Sequence, residues 1–209
     1  MELQNYPITI LIIIITVLVS LKAFKDPEFK YKWMFYPYKV KRENEQYRFF
    51  SHIFIHGDYL HLFFNMFVLF SFGRLMEIVL VDAYGQLFGS LYFLALYFVG
   101  AFAAGLWPFF RNFDNPNYMS LGASGAVAAV LFASIIWLPH GGIYLMFIPF
   151  EIPAWLFGIL YLGFEYYMSK KGGTGIAHDA HFGGAVFGIL FILLINIDKG
   201  KAFIQYILS

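Results

Sequence analysis

The 209-residue chain contains no cysteine and little charge: only 13% of its residues are Asp, Glu, Lys or Arg. Without thiols it forms no disulfide, no thiolate metal site and no cysteine nucleophile. Soluble domains carry about 25% charged residues. Here apolar side chains stand in the place of charge, 60% of the total, and the mean hydropathy is +0.67. Lipid is therefore the solvent for most of the chain. A net charge of +1 argues against nucleic acid or an acidic partner. The apolar run from Pro7 to Leu21 lacks the basic flank and cleavage pattern of a signal peptide, since Met1–Tyr6 holds no Lys or Arg. It reads as a retained anchor helix.

A membrane helix needs about 20 mostly apolar residues. Six stretches meet that length, at 5–24, 58–80, 85–107, 119–138, 150–168 and 178–197. They predict an all-α, polytopic bundle of six transmembrane helices, taken as one domain. The long polar interval, 25–57, is basic and rich in aromatics, which suits the headgroup layer. Short turns make the other connections, Asp114–Asn117 and Pro139–Gly142 among them.

Polar groups inside membrane helices cost roughly 2.5–3.5 kcal/mol each when charged, so they mark functional candidates. The second helix holds His61 and Asn65, four apart and on one face. On the fourth, Gly122 and Gly125 strip side chains from around Ser124, letting a substrate backbone approach its hydroxyl. Pro116 and the asparagines set Ser124 near a helix start, where free backbone N–H groups suit an oxyanion. His181 begins the sixth helix, at a similar depth. Its Gly184-x-x-x-Gly188 pattern allows close contact with Gly125, Ala129 and Ala133 of the fourth. Together these supply a nucleophile, a base and oxyanion donors. Asp179 points away from His181 on a helix, so the expectation is a Ser124–His181 dyad whose histidine is held by packing instead of an acid.

Gly122-Ala123-Ser124-Gly125, His61-x-x-x-Asn65 and Ala180-His181-x-x-Gly184-x-x-x-Gly188, in that arrangement on helices four, two and six, resemble the motifs of the rhomboid family of intramembrane serine proteases. Tyr47-Arg48 stands where the family often has Trp-Arg, Gly73 and Glu77 match its second helix, and Ile148-Pro149 through Trp155 resembles the entry to its fifth. The resemblance implies cleavage of single-pass membrane proteins at or near their transmembrane helix, with no cofactor and no metal. It implies Ser124 as nucleophile and His181 as base. His61, Asn65 and the Ser124 backbone N–H would steady the oxyanion, and Arg48 and Glu77 would tie down the long loop. Many members carry a Tyr one turn after the serine that packs on the histidine; here it is Ala128, and a Phe or Tyr from another helix is expected to fill the gap. Family precedent also places the termini in the cytoplasm of a bacterial inner membrane. The positive-inside rule opposes this, because Lys and Arg gather between residues 22 and 48.

Three other readings compete. His52, His56, His61, His178 and His181 are potential metal ligands, but H-E-x-x-H is absent and no carboxylate of ligand spacing is evident. His52 and His56 are expected instead to bond loop backbone. A catalytically inactive relative that binds membrane clients is the second alternative. A channel is the third, and the polar residues crowd at one end of the helices rather than crossing the midplane.

Overall fold

The computed structural model describes residues 7–144, 150–171 and 175–209. Helix α1 (Pro7–Lys25) turns Thr9, Ile12, Thr16, Ser20 and Ala23 inward at helical spacing. Leu11, Ile14 and Leu18 are exposed on its other face, as lipid contact requires. The long polar interval folds into short helices, α2 (Pro27–Trp33), α3 (Pro37–Arg42) and α4 (Arg48–Ser51), then a 3₁₀ turn at His52–Phe54. α2 and α3 each open on a proline, whose fixed φ suits a first turn. Phe35, Val40 and Phe49 are buried against Leu106, Phe109 and Tyr118, so this interval is packed onto the bundle.

Asp58 caps α5 (Tyr59–Val68), accepting the His61 N–H at 2.8 Å. A π-helical turn at Leu69–Gly73 joins α5 to α6 (Arg74–Asn112). α6 breaks at Gly85, whose φ of 77° only glycine adopts freely. The chain doubles back there: a Cβ on Gly89 would lie 2.4 Å from Val81 Cα. The third predicted helix thus runs on to Asn112.

α7 (Ser124–Trp137) is buried along nearly its whole length. Its 14 residues span about 21 Å, short of the roughly 30 Å hydrocarbon layer. The predicted start at 119 is corrected to Ser124. Residues before it are extended, with Phe35 and Ser120 exchanging backbone hydrogen bonds of 2.9 and 3.0 Å. A short antiparallel pair, β1 (Gly142–Ile143) with β2 (Ile152–Pro153), precedes α8 (Ala154–Lys171) and α9 (His178–Ile195). A further helix, α10 (Ile197–Leu208), was not among the predicted elements. It is too short and too polar to register as a membrane span, and it folds back with Tyr206 stacked edge-on to His140, 4.3 Å between rings.

The six predicted spans fall on α1, the two limbs either side of Gly85, α7, α8 and α9. By length and apolar content alone Pro7–Lys25, Tyr59–Asn112 and His178–Ile195 qualify. α7 is shorter, and α8 carries Glu165 and terminal lysines. α7 and α9 touch backbone to backbone. A Cβ on Gly184 would lie 2.0 Å from Gly125 O, and one on Gly188 would lie 2.1 Å from Ala129 O.

Candidate active site

That close approach of α7 and α9 sets the two ends of the site. Ser124 is the first residue of α7 and His181 lies in the first turn of α9. Their side chains meet, with Ser124 Oγ 2.6 Å from His181 Nε2. The segment entering α7 is fastened from three sides. Phe35 pairs with Ser120, the His52 carbonyl accepts the Gly122 N–H at 3.0 Å, and His56 Nε2 accepts the Ala123 N–H at 3.4 Å. His56 Nδ1 donates to Ser20 Oγ at 3.0 Å, while Ser20 donates to the Phe54 carbonyl at 2.9 Å. His56 therefore meets loop backbone through its ring, as expected, whereas the His52 ring nitrogens are buried without a hydrogen-bond partner among the described residues and only its carbonyl reaches the Gly122 N–H. Both lie in the loop, outside the spanning helices. Burial pushes His52 down from 6.5 to about 4. Burial, then the neighbouring His61, pushes His56 to about 3. Both rings are neutral at pH 7.

Gly122 has φ of +115°, and a Cβ there would meet His61 Cε1 at 2.7 Å. Glycine is thus required twice over, for the turn and for the imidazole lying on it. The Gly57 N–H donates to His61 Nδ1 at 3.4 Å, leaving Nε2 as the proton-bearing nitrogen on the Gly122 side. Asn65 is buried, its amide donating to the His61 carbonyl at 3.0 Å. A cavity of about 200 Å³ beside Ser124 is lined by Asn65, Val127, Ala128, Phe157 and Tyr161. A second, more polar cavity of about 320 Å³ reaches Ser120, His178 and Asp179. The arrangement offers a hydroxyl, a base, N–H donors at a helix start and an adjoining apolar recess, which is what acyl transfer requires.

One neighbour overturns an expectation. Glu165 of α8, buried, points its Oε1 at His181 Nδ1, 3.1 Å away, and its Oε2 at His178 Nδ1, 2.6 Å away. His181 therefore has an acid partner, while beside Ala128 stand Phe157 and Tyr161 of α8, which line the cavity next to Ser124. Asp179 is no substitute, since its Oδ1 accepts the Ala180 N–H at 3.0 Å. Sixteen residues of sequence and a helix boundary separate Glu165 from His181, which hides the pairing from motif spacing. The signal was nonetheless present: a lone acidic residue in an apolar helix. Glu165, His178 and His181 also bring three potential metal-ligand atoms within 4.8 Å of one another, so carboxylate and imidazole do meet here. Two of their separations, 2.6 and 3.1 Å, are hydrogen-bond lengths.

A family model, the Rhomboid domain, matches residues 43–197. The chain belongs to the rhomboid family. "RHOMBOID-like protein 12, mitochondrial" of Arabidopsis thaliana is 33% identical over 71% of this chain and 45% of its own length. "Rhomboid protease GlpG" of Haemophilus influenzae is 29% identical over 90% of both chains. "Presenilin-associated rhomboid-like protein, mitochondrial" of Homo sapiens is 29% identical over 66% of this chain and 35% of its own length. This rhomboid thus spans less than half of the two mitochondrial relatives and nine-tenths of the Haemophilus protein.

The remaining motif residues of this rhomboid fall as follows. Arg48 is buried and donates to the Tyr31 and Met34 carbonyls at 3.0 and 2.7 Å, and it pairs with Glu45. It does fasten the long loop. Glu77 does not: its carboxylate accepts the N–H groups of Ile8 and Thr9 at 2.9 and 2.8 Å and the Thr9 hydroxyl at 2.6 Å. It caps the start of α1, where a negative charge is favoured. Ile148-Pro149 and the link at 172–174 lie outside the described residues.

Proposed function

We propose that this rhomboid is an intramembrane serine endopeptidase that cleaves membrane-protein segments at or near their transmembrane helix through an acyl-enzyme. The observation that carries the reading is the 2.6 Å contact between Ser124 Oγ and His181 Nε2 at the start of a helix sunk in the bundle. Ser124 Oγ attacks the scissile carbonyl and its proton passes to His181 Nε2. The oxyanion faces the first N–H groups of α7, His61 Nε2 and the Asn65 amide. Collapse expels the amine, which takes the proton from Nε2. Water then attacks the acyl-enzyme, losing its proton to His181 Nε2, which returns it to the departing Ser124 Oγ as the carboxylic acid is freed. The recess lined by Ala128, Phe157 and Tyr161 would receive a small or apolar substrate side chain. The domain is read as one unit, 1–209. We place it in a bacterial inner membrane with termini in the cytoplasm, a placement that labelling from either side of the membrane tests.

Active-site labelling tests the reading. A fluorophosphonate should modify Ser124 in folded wild-type protein, mapped by peptide analysis. Ser124→Ala and His181→Ala should each lose cleavage of a single-pass reporter by at least about 10³-fold. Wild type and Ser124→Ala behaving alike in both assays would instead mark a client-binding relative without catalysis.

A further inference from the structure

Glu165 goes beyond a serine–histidine pair. We infer that Glu165 is a positioning residue that fixes the tautomer of His181, making Ser124, His181 and Glu165 a triad assembled from three helices; this rests on the proposed protease reading. The proton inventory carries the argument. A carboxylate only accepts, so at 3.1 Å from Glu165 Oε1 the His181 Nδ1 holds the ring's proton. Nε2 is then the lone-pair nitrogen, and it is the one 2.6 Å from Ser124 Oγ. As the serine proton arrives on Nε2, the ring becomes an imidazolium whose positive charge lies beside a carboxylate in a water-poor site. No proton need move to Glu165. His178 Nδ1 donates to the other oxygen at 2.6 Å, so the carboxylate is itself held in the plane that serves His181. His178 and Glu165 are both buried; a carboxylate kept there without a charge-related use would be an expensive ornament.

The isosteric change Glu165→Gln tests the inference. Its amide N–H₂ would face Nδ1, favour the opposite tautomer and put a proton on Nε2, where it blocks Ser124. Expected is a kcat for reporter cleavage lower by on the order of 10²–10⁴-fold, with KM unchanged within about threefold and a parallel slowing of fluorophosphonate labelling. Glu165→Asp keeps the charge on a shorter arm and should retain at least tenfold more kcat than Glu165→Gln. Melting temperature is measured for each. Wild-type kcat in Glu165→Gln overturns the inference, as does a loss expressed in KM alone. So does Glu165→Asp as impaired as Glu165→Gln. Should Glu165→Gln fail to fold, Glu165→Asp decides: kcat equal to wild type at unchanged KM makes the carboxylate structural and overturns the triad, and a fall of about 3- to 30-fold supports it. Wild-type cleavage abolished by a chelator and restored by zinc would assign the Glu165–His178–His181 cluster to a metal and also overturn it. In all these outcomes wild-type cleavage depends on Ser124. A wild type that neither cleaves nor labels would sink the protease reading itself, a different result.

Discussion

At the scale of single residues, the site depends on groups that make contact across long sequence distances. Asn65 is a donor whose amide bonds its own helix at the His61 carbonyl, so it must turn partly toward the oxyanion to contribute. Asn65→Ala should lower kcat by about 10- to 1,000-fold, less than Ser124→Ala, with the fold intact by thermal melt. Gly122→Ala adds a Cβ where φ is +115° and His61 Cε1 would stand 2.7 Å off, so activity should drop through displacement of His61. The loop histidines give a pH dependence whose sign is fixed. Their folded values are depressed below the ordinary 6.5, so the unfolded chain binds more protons in that range. The stability they contribute is complete above pH 6.5 and drains away as pH falls toward 4, before most carboxylates titrate. A melting-temperature series in detergent from pH 8 to 4.5 should be flat and then descend, and His56→Gln should flatten the descent. Ser124, His181, His61 and Asn65 were legible in the sequence because each sits in a short motif with an internal period. Glu165 was legible only as a lone acid in an apolar helix; its partner was not, because that depends on which helix packs beside it.

At the scale of helices, glycine decides how near α7 and α9 come. Gly184 and Gly188 place α9 against the Gly125 and Ala129 carbonyls, the contact that the small-residue spacing of the sequence implies. Gly184→Val should lower the melting temperature by roughly 5–10 °C through overpacking and lose activity with it, because separated helices part Ser124 from His181. Gly163→Ala on α8 is the control, since nothing lies within 4 Å of a Cβ there; both properties should stay at wild-type values. Helix boundaries were harder to read than helix contacts. The fourth span starts five residues late because Ser120 pairs with Phe35 and Gly122 takes a left-handed turn, and neither event leaves a hydropathy signal. α10 was missed for a different reason: its 12 residues are too few and too polar for a lipid span.

For the whole molecule, the proposed order of six crossings makes a prediction about sidedness opposite to that of the Lys and Arg distribution. Lys41 bonds Asp114 at 3.0 Å, so the long basic loop and the turn between the third and fourth crossings share one membrane face. Lys199 lies 4.7 Å over the Trp137 ring and His140 meets Tyr206, so α10 and the connection after α7 share the other. Many of the loop's cations are occupied locally: Lys32 with Glu28, Lys39 with Glu43, Arg48 with Glu45, Lys41 and Arg42 with Asp114. The positive-inside rule counts Lys and Arg whatever their partners, so the objection to an external loop stands and labelling decides it. Because the sequence has no cysteine, one introduced thiol is the only thiol in the protein. Glu28→Cys, whose side chain is 78% exposed, should react with a membrane-impermeant maleimide added to intact cells or spheroplasts. Lys201→Cys, 66% exposed before substitution, should react only after the membrane is opened. The reverse pattern would put the Ser124 end of the bundle on the cytoplasmic side and the substrates' cleavage sites with it; labelling of both from outside would contradict the even number of crossings.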